Sequence, residues 1–196
     1  MDIAQLCEEL VGAFQRQGDN VRGNLRPGLS RKAIFDLLAR TGLMLPESAI
    51  QLYEWADGHV DNEAHDNVIF FRDNTFISLS WAVSEYFHMQ STYGGSEASI
   101  DLTGVEIERC FPISVNNGAW DTVVCGRHTH DQRLDNPIVQ VFQGYDLYYD
   151  SVETMLRTCI AWVNSSEWRR FHGLPQVIEQ EIWARENPVR AARPNS

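Results

Sequence analysis

The hydrophobic period of this chain changes along its length, and that change restricts the fold more than any single motif. Ile3, Leu6, Cys7, Leu10, Val11 and Phe14 recur at helical spacing, which predicts an amphipathic helix over 2–16. From residue 68 onward the pattern shortens. Val68–Phe71, Thr75–Leu79, 109–115, 120–125, 138–143 and Leu147–Tyr149 read as strands, with a helix over 81–90 capped by Ser80 between them. The helical period then returns in Val152, Met155, Leu156, Cys159, Ile160 and Val163 behind a Ser151 cap, and again over 176–187. Helices first, strands in the middle and helices last predict an α+β fold. Its central antiparallel or mixed sheet has about five or six strands, covered by N-terminal and C-terminal helices. Residues 1–188 are expected to form one domain, with 189–196 as a flexible tail.

Within the N-terminal part, Leu45 to Gly58 is marked at both ends. Pro46 and Glu47 suit the first turn of a helix, and Asp57-Gly58 suits its close. Ala49, Ile50, Tyr53 and Ala56 supply its buried face. A second helix precedes it, from a Ser30 cap to a Gly42 close. Residues 18–28 read as a loop, and so do 59–67.

A helix ending in Gly, a Leu-Pro step, a helix closed by a polar residue and Gly, and then a sheet is an order that resembles the SUKH superfamily of Smi/Knr-like domains. The resemblance covers roughly residues 29–164, with Asp57-Gly58 where the family more often has Asn-Gly. It implies an α+β architecture. It also implies an immunity protein, one that binds and neutralises a cognate bacterial toxin such as a nuclease. The same superfamily includes cell-wall regulators, which act as scaffolds for other proteins, and this is the alternative reading.

Charge sharpens the expectation about partners. The net charge is −11, and residues 47–108 hold twelve acids against Arg72 alone. Nucleic acid and anionic membrane both require basic surface, so neither is an expected partner. A basic protein surface would be drawn toward such a chain. No run of about 18 apolar residues exists to span a bilayer. Met1-Asp2-Ile3-Ala4-Gln5 lacks a secretory pattern, and Cys7, Cys110, Cys125 and Cys159 have no paired spacing, so a cytoplasmic setting is expected.

Catalytic patterns are weak by comparison. His128 and His130 stand two apart, but Gly126 before them and Gln132–Asn136 after them suggest a loop, so no metal is expected there. No nucleophile elbow or phosphate loop appears, and Glu106 and Glu108 alternate with Val105 and Ile107 as a half-exposed strand does. An enzyme is therefore the least supported class, and no cofactor is expected. The expected partner-binding residues are the acids after the Leu-Pro helix, Asp57, Asp61, Glu63 and Asp66, together with Trp120 and Asp121. Trp120 either packs back on the sheet or stands out as an anchor.

The sheet register also has a sequence signal. Asn117-Gly118 favours a two-residue hairpin turn. It would oppose Asn116 to Ala119, Val115 to Trp120, Ile113 to Thr122, Phe111 to Val124 and Cys110 to Cys125. Phe111, Ile113, Val115, Trp120, Thr122 and Val124 would then face the core. Cys110 and Cys125 would be the pair nearest to bridging under oxidation.

Overall fold

The computed structural model describes residues 2–60, 71, 74–93, 105–116, 119–125, 136–141, 145–168 and 174–192. Its helices are α1 (Ile3–Arg16), α2 (Arg31–Leu38), α3 (Glu47–Trp55), α4 (Leu79–Tyr93), α5 (Val152–Asn164), α6 (Gln176–Glu186) and α7 (Pro188–Ala191). Its strands are β1 (Leu25–Pro27), β2 (Ala56–His59), β3 (Thr75–Phe76), β4 (Cys110–Asn116), β5 (Ala119–Val124), β6 (Ile138–Val141) and β7 (Tyr145–Tyr149). The fold is α+β. An antiparallel sheet runs β3-β4-β5-β6-β7, and β1 and β2 form a separate pair.

Several elements follow directly from their end signals. The Asp2 carboxylate accepts from Ala4 N at the start of α1, and the predicted stripe is buried as a unit. Ser30 Oγ accepts from Ala33 N to open α2. Ser151 and Thr154 cap α5 reciprocally, each side chain accepting from the other's backbone N–H. α1 and α3 pack with α5, α4 lies on β4, and α5 and α7 lie against β7.

The end of α3 corrects the sequence reading. The helix stops at Trp55, and Ala56 already belongs to β2, which pairs with β1 in a stretch expected to be loop. Gly58 therefore does not close the helix. It sits within β2 at φ +71°, where an added Cβ would lie 2.4 Å from Ile77 C and Ser78 N. Gly28 meets a similar demand, because a Cβ there would lie 1.8 Å from Glu54 O. Glycine is needed at both positions so that one backbone can pass another without a side chain between them.

Asn117-Gly118 lie outside the described residues, and the strand pairs that flank them have the expected register. Asn116 opposes Ala119, Val115 opposes Trp120, and Ser114 opposes Asp121. Beyond Ile113 it slips by one. Pro112 opposes Thr122, Phe111 opposes Val123, and Cys110 opposes Val124 rather than Cys125. One extra residue in β4 makes a bulge, which moves every later partner. The division into a core face and an outer face also fails. Ser114, Asp121, Val123 and Cys125, on the face opposite the expected core, are buried as well. All four cysteines are buried free thiols, and burial pushes that of Cys125 up to about 12.

The C-terminal helices are held by a buried polar staple. Asn187 is fully buried, and its amide donates to Thr158 Oγ1 at 3.1 Å and Trp183 O at 3.0 Å. Its Oδ1 accepts from Asp150 N at 3.0 Å, and the Asp150 carboxylate accepts from Val189 N and Arg190 N at 2.9 Å each. Trp183 Nε1 donates to Tyr148 O and Trp162 Nε1 to Glu179 O. Val189 to Ala191, expected in a flexible tail, is thus helix α7 docked on Asp150.

Candidate partner interface

Helix α4 organises the surface that stands out, and its start explains Asp57. Ser78 accepts through its carbonyl from Ala82 N and through Oγ from Trp81 N, so it is the cap, two residues before the expected Ser80. Asp57 Oδ1 accepts from Leu79 N at 2.7 Å, reaching across from β2 to the same helix end. Burial raises the Asp57 pKa above the usual carboxylate range, and the Leu79 N–H offsets part of that rise. Asp57 is therefore a half-buried structural acid that locks β2 to α4. Asp61, Glu63 and Asp66, grouped with it on sequence grounds, lie outside the described residues, as do His128 and His130.

Trp120 takes the packed alternative. It is 5% exposed, and its indole N–H donates to Glu85 Oε2 on α4 at 2.7 Å. The other oxygen, Oε1, accepts from the indole of Trp81 at 2.9 Å. Glu85 thus joins a buried Trp on the sheet to an exposed Trp on the helix. His88 and Tyr93 bring their rings within 6.1 and 6.2 Å of Trp120. Trp81 and Glu85 stand one helical turn apart, so that contact was legible in the sequence. The bond from Trp120 was not, because it joins residues 35 positions apart.

Asp121 is buried beside Trp120 on the sheet. Its carboxylate accepts from Asn74 Nδ2, from Ser114 Oγ at 2.7 Å and from Gln140 Nε2 at 3.5 Å. It ties β5 to its neighbours rather than facing a partner.

Two exposed aromatic side chains, Trp81 and Phe87, lie on α4. Among the described residues, Phe35, Met44, Trp81 and Phe87 are four of the six large hydrophobics exposed to solvent. They come from α2, the α2–α3 connection and α4, and α2 packs on both α3 and α4. Arg40 lies over the Phe87 ring at 5.7 Å. Beside it is an open groove of about 590 Å³ lined by Thr41, Gly42, Leu43, Tyr86, Glu106, Glu108 and Arg109. Glu106 and Glu108 do not lie on a strand. A 3-10 turn over Ile107–Arg109 buries Ile107 and leaves both acids exposed at the groove rim.

The acidic block of residues 47–108 is partly neutralised in space. Arg31 of α2 pairs with Glu47, and its fork reaches Glu54 at 2.9 and 3.1 Å. The hydrogen bonds from Arg31 hold the Glu54 carboxyl below its ordinary value. Exposed pairs of this kind add little stability, but they remove Glu47 and Glu54 from the free acidic surface. Among the described residues no group of three His, Cys, Asp or Glu side chains is placed to hold a metal, and no helix is long and apolar enough to cross a membrane. No protein-family model matches the sequence, and no curated protein matches it as a relative.

Proposed function

We propose that this chain is a binding protein of the immunity type, one that neutralises a cognate toxin by occupying its active or substrate-binding surface. The observation that carries the reading is helix α4, where two aromatic side chains, Trp81 and Phe87, are 38% and 40% exposed. Exposed aromatic anchors next to a groove with polar rims are the composition of an interface centre. Glu106 and Glu108 stand exposed at the groove, which Arg109 also lines, and Glu85 lies against Trp81. A toxin that acts on nucleic acid carries a basic surface, and a net charge of −11 speeds its encounter with such a partner. The order of helices and the Leu-Pro step resembling the SUKH superfamily supports the same reading.

The test is co-expression with the toxin candidate encoded beside this gene. The wild-type chain is expected to restore growth and to co-purify with the toxin, while the double substitution Trp81→Ala and Phe87→Ala abolishes both. A neighbouring product that is harmless, or that stays lethal beside the wild-type chain, would overturn the proposal.

A further inference from the structure

We infer that Trp81, Glu85 and Trp120 form a receptor for one arginine side chain of the partner protein. The inference rests on the binding reading above and names the chemistry of its central contact. Glu85 keeps part of its surface in solvent, and its two oxygens accept from the indoles of Trp81 and Trp120 at 2.9 and 2.7 Å. An ionised carboxylate offers about four lone-pair sites, so two remain unfilled. Among the described residues, no lysine, arginine or histidine pairs with Glu85, although most other acids near α2 and α3 have such a partner. The negative charge is therefore left without a cation at the edge of an aromatic surface.

The two indole N–H groups also fix the direction of the carboxylate. A carboxylate held this way loses little rotational freedom when a ligand binds. Its surroundings are aromatic, with Trp81 exposed and with His88 and Tyr93 beside Trp120. A guanidinium suits both features. Its planar fork matches a carboxylate edge, and its face stacks on an indole, whereas an ammonium does only the first as a point charge. The net charge of −11 favours a cationic group on the partner.

The experiment follows the indole N–H signals of Trp81 and Trp120 by nitrogen–proton correlation NMR, assigned by Trp→Phe substitution. The probe is N-acetyl-arginine methylamide, with the neutral citrulline analogue as control. The arginine compound is expected to shift both signals saturably, and citrulline is expected to leave them in place. Glu85→Gln should weaken the arginine response about tenfold, the usual worth of one charged hydrogen bond. Equal shifts with arginine and citrulline, or none with either, would overturn the receptor. Unmoved Trp162 and Trp183 signals show that the Gln variant is folded. Should it not fold, Trp81→Phe decides, because it keeps the Glu85–Trp120 bond. A weakened arginine response supports the receptor, and an unchanged one removes it. The probe needs no toxin, so failure here leaves the growth-rescue result standing, and the reverse also holds.

Discussion

The C-terminal staple and the α4 face use similar groups to opposite ends. At the staple, Asn187 is fully buried, both ends of its amide are bonded, and both Asp150 oxygens close onto the start of α7. Asp150 and Asn187 are also buried, so another molecule does not reach the capacity that remains. At α4, Glu85 accepts two indole bonds and keeps its charge unpaired among the described residues, while Trp81 and Phe87 remain in solvent. Polar groups satisfied internally hold a fold together, and polar groups with unused capacity beside exposed rings are available for recognition.

Four variants test that contrast, in falling order of their effect on stability. Gly58→Ala should cost about 4 kcal/mol, because it combines a left-handed φ with a Cβ 2.4 Å from backbone atoms of Ile77 and Ser78. It would push apart the segment on which α4 starts, so partner binding should fall with stability. Chemical denaturation gives the number. Asn187→Ala comes next at about 3 kcal/mol, since it strands Asp150 N and its other partners in a buried site. For a chain of this length that corresponds to a melting temperature lowered by roughly 6–12 °C. Affinity for the proposed partner per folded molecule should not change, and a variant that binds more weakly would contradict the separation of the two regions.

Asp57→Asn gives a smaller effect, visible as a slope against pH. Burial raises the pKa of Asp57 in the folded state, so ionisation costs more there than in the unfolded chain. Its contribution is fully present below the ordinary carboxylate range and is lost as pH rises through the raised value. Wild type should therefore lose stability relative to Asp57→Asn as pH is increased from about 3 to 7. The opposite slope would mean that the charge gains more at the α4 start than burial takes away. The smallest effect on stability belongs to Trp81→Ala with Phe87→Ala, under about 1 kcal/mol for two solvent-exposed side chains. Affinity for the proposed toxin partner should nevertheless drop at least about tenfold, as for central aromatic anchors. Isothermal titration beside thermal denaturation separates the two quantities.

Much of the local structure was decided by residues close together in the sequence. The stripe of α1, the Ser30 and Ser151 caps, the order of helices and strands, and the pairs next to Asn117-Gly118 all rest on spacings of a few residues. Periodicity and capping act over that range, so they are visible without a fold. The bulge at Ile113, the pairing of β1 with β2 and the docking of α7 came from distant partners and were not. Asp57-Gly58 shows why. The pair suits a helix end, yet Gly58 serves a backbone crossing at Ile77 and Asp57 caps a helix that begins at Leu79. The candidate site divides in the same way. The sequence by itself determined that Trp81 and Glu85 share a helix face and that the chain carries eleven excess negative charges. Only the tertiary structure decided which acids stay unpaired, since Arg31 reaches Glu47 and Glu54 while Trp120 turns its N–H onto Glu85. A charge counted along the chain acts through distances in space, and those distances exist only once the chain has folded.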